Sequence, residues 1–414
     1  MYPRYLQERL DMALADTPVV LLTGARQTGK STLAQAYAAA VGATYVSFDD
    51  PSVLASAKDA TGFLRNLGKR AVIDEVQRAP WLFAPMKLAV DRDRRPGRFL
   101  LTGSANVLLV PHLSDSLAGR MEILQLWPLS QGELRSRRER FIDALFGAQD
   151  WSLRASTRQD DNVPELLVCG GYPELVDRAD PARREAWLVA YLRTLIERDV
   201  RDLANIEGLV EMPRLLSLLA ARTGALMNLA EVSRAVGIPQ TTLKRYLTLL
   251  QATFLLAPLP GWSGNLGKRL IKAPKIHFPD SAVAVHLARY DATRLAEDRG
   301  FLGHLLETFV VAELRKQAGW ARRRVDLYYY RTSTGQEVDL LLEDRGGRLA
   351  GIEVKASATV EARDFAGIEA LATAAGKRFA GGVVLYTGSR VLPFGKRRYA
   401  LPVSALWRTA ETGT

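Results

Sequence analysis

The chain has 414 residues. At roughly 150 residues per domain that length means two or three domains and excludes a single small binding module. With 48% hydrophobic and 24% charged residues, the composition excludes a disordered, collagen-like or membrane-embedded chain. The 56 Lys and Arg against 45 Asp and Glu leave a formal charge of +11, which favours a polyanionic partner if the excess is clustered.

It is clustered. Between Glu211 and Lys275 the basic residues Arg214, Arg222, Arg234, Lys244, Arg245, Lys268, Arg269, Lys272 and Lys275 face only Glu211 and Glu231, a net of +7. The single cysteine, Cys169, excludes an intrachain disulfide, and four scattered histidines provide no zinc framework. No apolar run approaches the ~20 residues of a membrane span, and MYPRYLQERLDM contains no apolar leader core. The expectation is a cytoplasmic protein without membrane association.

In chain order, an amphipathic helix (Tyr5 to Ala15) precedes short apolar runs alternating with helical stretches: Val19 to Thr23, Tyr45 to Phe48, Ala71 to Ile73, Phe99 to Thr102 and Met121 to Leu126. That rhythm predicts a parallel α/β sheet. A charged helix (Gln131 to Phe146) and a polar run beginning at Ser156 follow, and a domain boundary is expected near residue 163. From Pro164 to about Leu250 the period is helical, an α-rich middle extending to residue 275. A second α/β domain, 276–414, is expected from a helix (Phe301 to Gln317), β-rich segments (Val325 to Tyr330, Glu337 to Leu342, Ala350 to Val354, Gly382 to Tyr386) and a helix from Glu361 to Ala375.

Gly24 to Ser31 reads GARQTGKS between an apolar strand and a helix-forming run, the context a Gly-x4-Gly-Lys-Ser phosphate loop requires. Glycines let consecutive backbone N–H groups and a helix N-terminus face phosphates, Lys30 reaches the β- and γ-phosphates, and the Ser31 hydroxyl ligates Mg²⁺. The nucleotide-binding set is Gly24, Gln27, Thr28, Gly29, Lys30, Ser31 and Thr32, and ATP with Mg²⁺ is the expected cofactor pair. Ala71 to Glu75 is an apolar strand ending in two carboxylates: Asp74 suits the Mg²⁺ shell and Glu75 the polarisation of an attacking water. An extra strand separating the two motifs is expected, as in NTPases that carry a catalytic Glu beside this strand. Ser104 or Asn106, after the strand FLLTG, is a candidate sensor of the γ-phosphate or lytic water. Arg120 is a candidate arginine finger; its action in trans would require an oligomer.

Residues 1 to about 165 resemble a prokaryotic AAA-type ATPase. GARQTGKS, VIDEVQRAP, FLLTGSAN and SLAGR, followed by GGYPE and YLRTLIERDV, resemble the family that joins this ATPase to a large C-terminal region of unassigned function. The resemblance implies Lys30 and Ser31 for nucleotide and magnesium, Asp74 and Glu75 for hydrolysis, and Ser104 and Arg120 as sensor or finger.

The stretch from Asn228 to Leu247 reads as helix, tight Gly turn and second helix, with Leu229, Val232, Val236, Leu243, Leu247 and Leu250 on the buried side, the logic of a helix-turn-helix. The second helix is expected to expose Gln240, Thr241, Lys244 and Arg245 to nucleic acid, with Phe254 to Leu259 as a wing strand. The competing reading is a packing or protein-contact module. Farther on, Asp339 and the pair Glu353/Lys355 fall on adjacent strands of a hairpin, with Glu307 on the preceding helix. This spacing resembles the restriction-endonuclease-like (PD-(D/E)XK) nuclease core, whose carboxylates and lysine hold Mg²⁺ and activate water against a phosphodiester. The resemblance assigns Asp339 and Glu353 as metal ligands, Lys355 to the water and Glu307 as an outer ligand; Glu337 competes with Asp339 as primary ligand.

The expected activity is Mg²⁺-dependent ATP hydrolysis coupled to a DNA-binding winged helix and a metal-dependent nuclease-like domain. The alternatives are a nucleotide-gated DNA- or protein-binding switch on an inactive nuclease-like scaffold, and a signalling ATPase with a protein partner.

Overall fold

The computed structural model describes residues 2–104, 117–147, 151, 162–200, 210–265, 267, 269 and 272–409. Asn106, His112, Lys268 and the polar run from Ser156 to Asp161 lie outside the described residues.

Helix α1 (Gln7–Asp16) precedes β1 (Val19–Thr23), α2 (Lys30–Val41), β2 (Thr44–Ser47), α3 (Pro51–Ser56), α4 (Ala60–Asn66), β3 (Ala71–Asp74), α5 (Phe83–Arg92), β4 (Phe99–Gly103) and β5 (Met121–Gln125). The five strands pair only in parallel, in the order β2-β3-β4-β1-β5. Strands β1, β3 and β4 are buried along their whole length, so they read as unbroken apolar runs rather than alternating ones. Val19, Leu21, Ile73 and Leu101 pack with Met86 and Val90 of α5 on one face. Val20, Leu22, Val72 and Leu100 pack with Leu10, Leu14 and Leu33 of α1 and α2 on the other. Strand β4 lies between β1 and β3, the extra strand expected from the sequence.

The charged helix expected from Gln131 to Phe146 is two short helices, α6 (Gln131–Leu134) and α7 (Phe141–Phe146). Ser136 adopts a left-handed φ of 53°, and the Glu139 carboxylate accepts the Gly132 N–H at 2.7 Å, so the chain folds back onto α6 instead of continuing.

The helical middle comprises α8 (Val163–Cys169), α9 (Pro173–Val176), α10 (Pro181–Thr194), α11 (Met212–Ala221), α12 (Leu229–Val236) and α13 (Gln240–Ala252). Asn228 caps α12 by accepting the Glu231 N–H, and Gly237 ends it in the left-handed region with φ 84°. The expected wing strand at Phe254 to Leu259 forms no regular strand: Phe254 turns with a left-handed φ of 58°, Leu259 and Lys275 exchange two backbone hydrogen bonds of 2.9 Å, and the Ala257 N–H donates to His277 O.

Helices α14 (Ser281–Leu287), α15 (Ala292–Glu297) and α16 (Arg299–Ala318) lead into β6 (Val325–Arg331), β7 (Glu337–Asp344) and β8 (Leu349–Lys355). Helix α17 (Ala366–Ala375), strands β9 (Phe379–Tyr386), β10 (Leu392–Pro393) and β11 (Arg398–Pro402), and α18 (Ala405–Arg408) complete the chain. The six-stranded mixed sheet has the order β10-β11-β9-β8-β7-β6. Strands β7 and β8 are antiparallel, Leu340 opposite Ile352, as the hairpin reading expected, whereas α17 crosses over to make β8 and β9 parallel. One apolar cluster runs from Phe141 to Trp407 through the helical middle and this sheet, so the two regions share a core. Among the described residues no helix is long and apolar enough to cross a membrane.

Candidate functional site

The loop between β1 and α2 is shaped by close approach. A Cβ on Gly24 would lie 2.1 Å from Leu126 O, and Gln27 (φ 60°) and Gly29 (φ 91°) sit in the left-handed region. Over it opens a cavity of about 420 Å³, within the range that accepts a small-molecule ligand. Its floor is Arg26, Gln27 and the stretch Gly29 to Thr32 together with Glu75. Lys30 Nζ donates to Ala25 O at 2.7 Å, and Thr28 Oγ1 donates to the same carbonyl at 2.9 Å.

At the end of β3, Asp74 is buried and gathers hydroxyls. Ser31 Oγ lies 3.1 Å from Oδ1 and Tyr45 OH 2.9 Å from Oδ2, while Thr102 Oγ1 also donates to Oδ1. Burial, with the hydrogen bond to Asp74, raises the Tyr45 phenol well above its ordinary range, so it remains a donor. The Ser31 hydroxyl beside a buried carboxylate is a hard oxygen pair that suits Mg²⁺. Glu75 has a left-handed φ of 58°, a strained conformation for a non-glycine residue. Its N–H is held by Thr102 Oγ1 at 3.1 Å. Its carboxylate accepts from Ser104 Oγ at 3.1 Å and from Gln77 Nε2, which also reaches Ser104 Oγ at 2.9 Å. The structure thus brings Lys30, Ser31, Asp74, Glu75 and Ser104 together. Arg120 stands apart: its guanidinium holds both Asp91 carboxylate oxygens of α5, at 2.6 and 3.0 Å.

The sequence reading missed four partners. Thr102 and Tyr45 close the Asp74 shell, and Gln77 bridges Glu75 and Ser104; Thr102 and Gln77 lie near or beyond the ends of β4 and β3, whereas Tyr45, inside β2, carries no sequence signal. The fourth is the cavity roof, Trp187, Ala190, Tyr191 and Thr194 of α10. The Trp187 and Tyr191 rings stack at 4.9 Å and 7°, and Tyr191 OH donates to the buried Tyr172 OH at 3.1 Å. Tyr172 belongs to GGYPE, whose glycines allow close approach: a Cβ on Gly171 would lie 2.2 Å from Leu129 O, and one on Gly170 would lie 2.3 Å from Asp280 Oδ1.

In the helix-turn-helix, Val232, Val236, Leu243, Leu247 and Leu250 are buried, and Gln240, Thr241, Lys244 and Arg245 are exposed, as the pattern predicts, whereas Leu229 at the start of α12 is only half-buried. The basic excess is partly internal, however. Arg269 holds both carboxylate oxygens of Glu343 at 2.6 and 3.1 Å, Lys272 Nζ donates to Trp262 O, and Lys275 is 3% exposed.

Lys275 ends in the carboxylate cluster of the C-terminal domain. Its Nζ lies 2.8 Å from Glu307 Oε1, 2.5 Å from Glu337 Oε1 and 3.4 Å from Asp339 Oδ1. Burial opposes its charge, but the carboxylates of Glu307, Asp339 and Glu337 outweigh this and raise the Lys275 pKa. Glu307, burdened by burial and by Asp339, is raised as well. Asp339 Oδ2 accepts the Val354 N–H at 3.0 Å, and Lys355 Nζ donates to Glu353 Oε1 at 3.0 Å. Burial first and Asp339 second push Glu353 up to about 8. Of the four predicted residues, Glu307 and Asp339 therefore meet on Lys275, while Glu353 pairs with Lys355. Among the described residues no group of three or more His, Cys, Asp or Glu side chains is gathered as for a metal ion.

Residues 16–135 match an AAA domain family, residues 160–294 a domain of unknown function (DUF8612) and residues 302–406 another (DUF4143). The chain is 33% identical over 351 residues to an uncharacterized protein of Mycobacterium tuberculosis and to one of Mycobacterium bovis, covering 85% of this chain and 73% of each relative. It is similar to the Walker-type ATPase PABY2304 of Pyrococcus abyssi (15% identity, TM-score 0.42, 69% of this chain and 96% of that one). It is also similar to the RuvB Holliday junction branch migration motor of Thermotoga maritima (20% identity, TM-score 0.31, 62% and 89%).

Proposed function

The chain belongs to the family of these mycobacterial proteins, an AAA-type ATPase domain followed by two domains of unknown function, and on that premise we propose that it is a Mg²⁺-dependent ATPase whose nucleotide cycle repositions its helical and C-terminal regions. The observation that carries the reading is the convergence of Lys30, Ser31 and Glu75 at one cavity roofed by α10, with Asp74 bonded to Ser31 and Ser104 to Glu75 behind them.

In this proposal Lys30 would turn from the Ala25 carbonyl to the phosphates, and Ser31 with Asp74 would hold Mg²⁺, which would supply positive charge against the negative charge of the phosphoryl oxygens. Glu75, oriented by Ser104 and Gln77, accepts a proton from the attacking water. Glu75→Gln is expected to lower kcat by about 10²–10⁴-fold while nucleotide still binds. An arginine finger role for Arg120 requires release from Asp91; full turnover in Arg120→Ala would remove that role.

The partner favoured by the exposed Gln240, Thr241, Lys244 and Arg245 is DNA, with an acidic protein surface as the competitor. Metal-dependent DNA cleavage at Asp339, Glu353 and Lys355 has their convergence in its favour and the Lys275 ammonium against it, so the favoured form is a nucleotide-gated binding switch on a non-cleaving nuclease-like scaffold. The test is ATP hydrolysis in Mg²⁺ with and without duplex DNA, the DNA followed on a gel. Turnover stimulated by uncut DNA is the expected result. Nicking that disappears in Asp339→Ala would restore the nuclease, and neither stimulation nor retention of DNA would direct the search to a protein partner.

A further inference from the structure

We infer that the Lys275 ammonium is the resident cation of the C-terminal carboxylate cluster, taking the place that a nuclease of this fold gives to a divalent metal. The inference is independent of the ATPase reading.

A lysine ammonium has three N–H donors, and three carboxylates surround this one: Glu307 at 2.8 Å, Glu337 at 2.5 Å and Asp339 at 3.4 Å. They come from α16 and from one face of β7, the elements that would supply a metal's ligands. Asp339 also takes the Val354 N–H and Glu353 Oε1 takes Lys355, so the one cluster oxygen buried without a partner among the described residues is Glu353 Oε2, which Lys275 is not recorded as contacting. A divalent ion needs oxygens at 2.0–2.6 Å, inside the space Nζ fills. Placing a second, doubly charged cation beside a buried ammonium would add a large repulsion.

Lys275 is held there by its backbone. It exchanges two hydrogen bonds with Leu259 at 2.9 Å, and its neighbours are pinned on the other side, Met227 N to Pro274 O at 2.9 Å and Gly224 N to Ile276 O at 2.7 Å. The segment is therefore clamped between the turn that precedes α12 and the stretch that follows α13, so the ammonium cannot leave by a backbone swing without breaking both ladders. Gly224 contributes from the same side. A Cβ there would lie 3.2 Å from Glu307 Oε2, at a φ of +78° that disfavours other residues, so the glycine leaves room for the carboxylate. The helix-turn-helix region thus delivers its own lysine into the nuclease-like sheet and locks the two together.

The test uses the full chain without nucleotide and Mn²⁺ as the probe, free Mn²⁺ being read by its paramagnetic resonance. Wild type and Asp339→Asn are expected to bind the same amount of Mn²⁺, because any ion at the phosphate loop is common to both. Loss of one Mn²⁺ site in Asp339→Asn would overturn the inference. Lys275→Met, which keeps the apolar stem, is expected to melt roughly 5–10 °C below wild type and to gain one Mn²⁺ site that Asp339→Asn removes. A folded Lys275→Met with unchanged melting, or with no added site, would also overturn it. If that variant does not fold, the comparison of wild type with Asp339→Asn decides alone.

Discussion

Trp187 and Tyr191 are the residues through which the nucleotide cavity reaches the rest of the molecule. Both stand in the roof over the phosphate loop, and Tyr191 continues by a hydroxyl contact to Tyr172, which is fully buried at the GGYPE corner. Nucleotide binding is therefore expected to change Trp187 fluorescence, a change that Trp187→Phe should abolish although six of the seven tryptophans remain. A nucleotide-dependent signal persisting in Trp187→Phe would place the reporter elsewhere. Single residues divide sharply in legibility. Lys30, Ser31, Asp74 and Glu75 could be read from the sequence because each lies beside its motif neighbours on one strand or loop. Lys275 could not: in the sequence it is one more cation of a basic segment, and its burial depends on pairing with Leu259 and on carboxylates 32 to 64 positions away.

Among elements, the parallel sheet was legible because its strands are buried on both faces and appear as apolar runs. The break in the Gln131 to Phe146 helix was not, since a left-handed Ser136 has no composition signal. Strand β10 was missed because it is a two-residue edge strand, and β11, although paired on both sides, because its five residues show neither alternation nor an unbroken apolar run. Helix α13 carries the DNA reading, with Lys244 and Arg245 exposed on the side opposite Leu243 and Leu247. If it meets the backbone of duplex DNA, replacing both cations by alanine should weaken binding and flatten the salt dependence by about 0.9 for each phosphate that is no longer neutralised. Unchanged affinity and slope would leave α13 a packing helix.

At the scale of the whole molecule, the ATPase sheet joins the remainder through a buried polar junction. Arg4 donates to Thr28 O in the phosphate loop at 2.8 Å, to Trp127 O at 2.7 Å and to Glu133 at 3.1 Å. The Gln131 N–H at the start of α6 donates to Glu313 of α16, and Lys316 holds both Glu313 and Leu129 O. Arg4→Met would leave the buried Glu133 without its cation, held only by the Tyr5 and Ser130 N–H groups, and a loss of about 3–5 kcal/mol in unfolding free energy is expected; denaturant unfolding measures it. Nothing local marks this junction in the sequence, because its charges come from positions 4, 133, 139, 313 and 316.

The same junction predicts a pH dependence. Burial, reinforced by Glu313, pushes the Glu139 carboxyl up to about 8 from an ordinary 4.5. Between those values the unfolded chain has lost a proton that the folded chain keeps, so stability falls as pH rises and levels off above about 8, with a slope of up to ~1.4 kcal/mol per pH unit from this group. Glu353 contributes in the same direction. Glu139→Gln should therefore flatten, without abolishing, the decline in melting temperature between pH 5 and 8; an unaltered slope would mean that Glu139 is ionised in the folded protein.

Hydrolysis at the loop cavity is measured by phosphate release from ATP in Mg²⁺ by the full chain. Steady turnover is expected in wild type, background release in Lys30→Ala, and in Glu75→Gln a loss of at least about 100-fold with nucleotide still bound. Release by wild type no faster than by Lys30→Ala would contradict it.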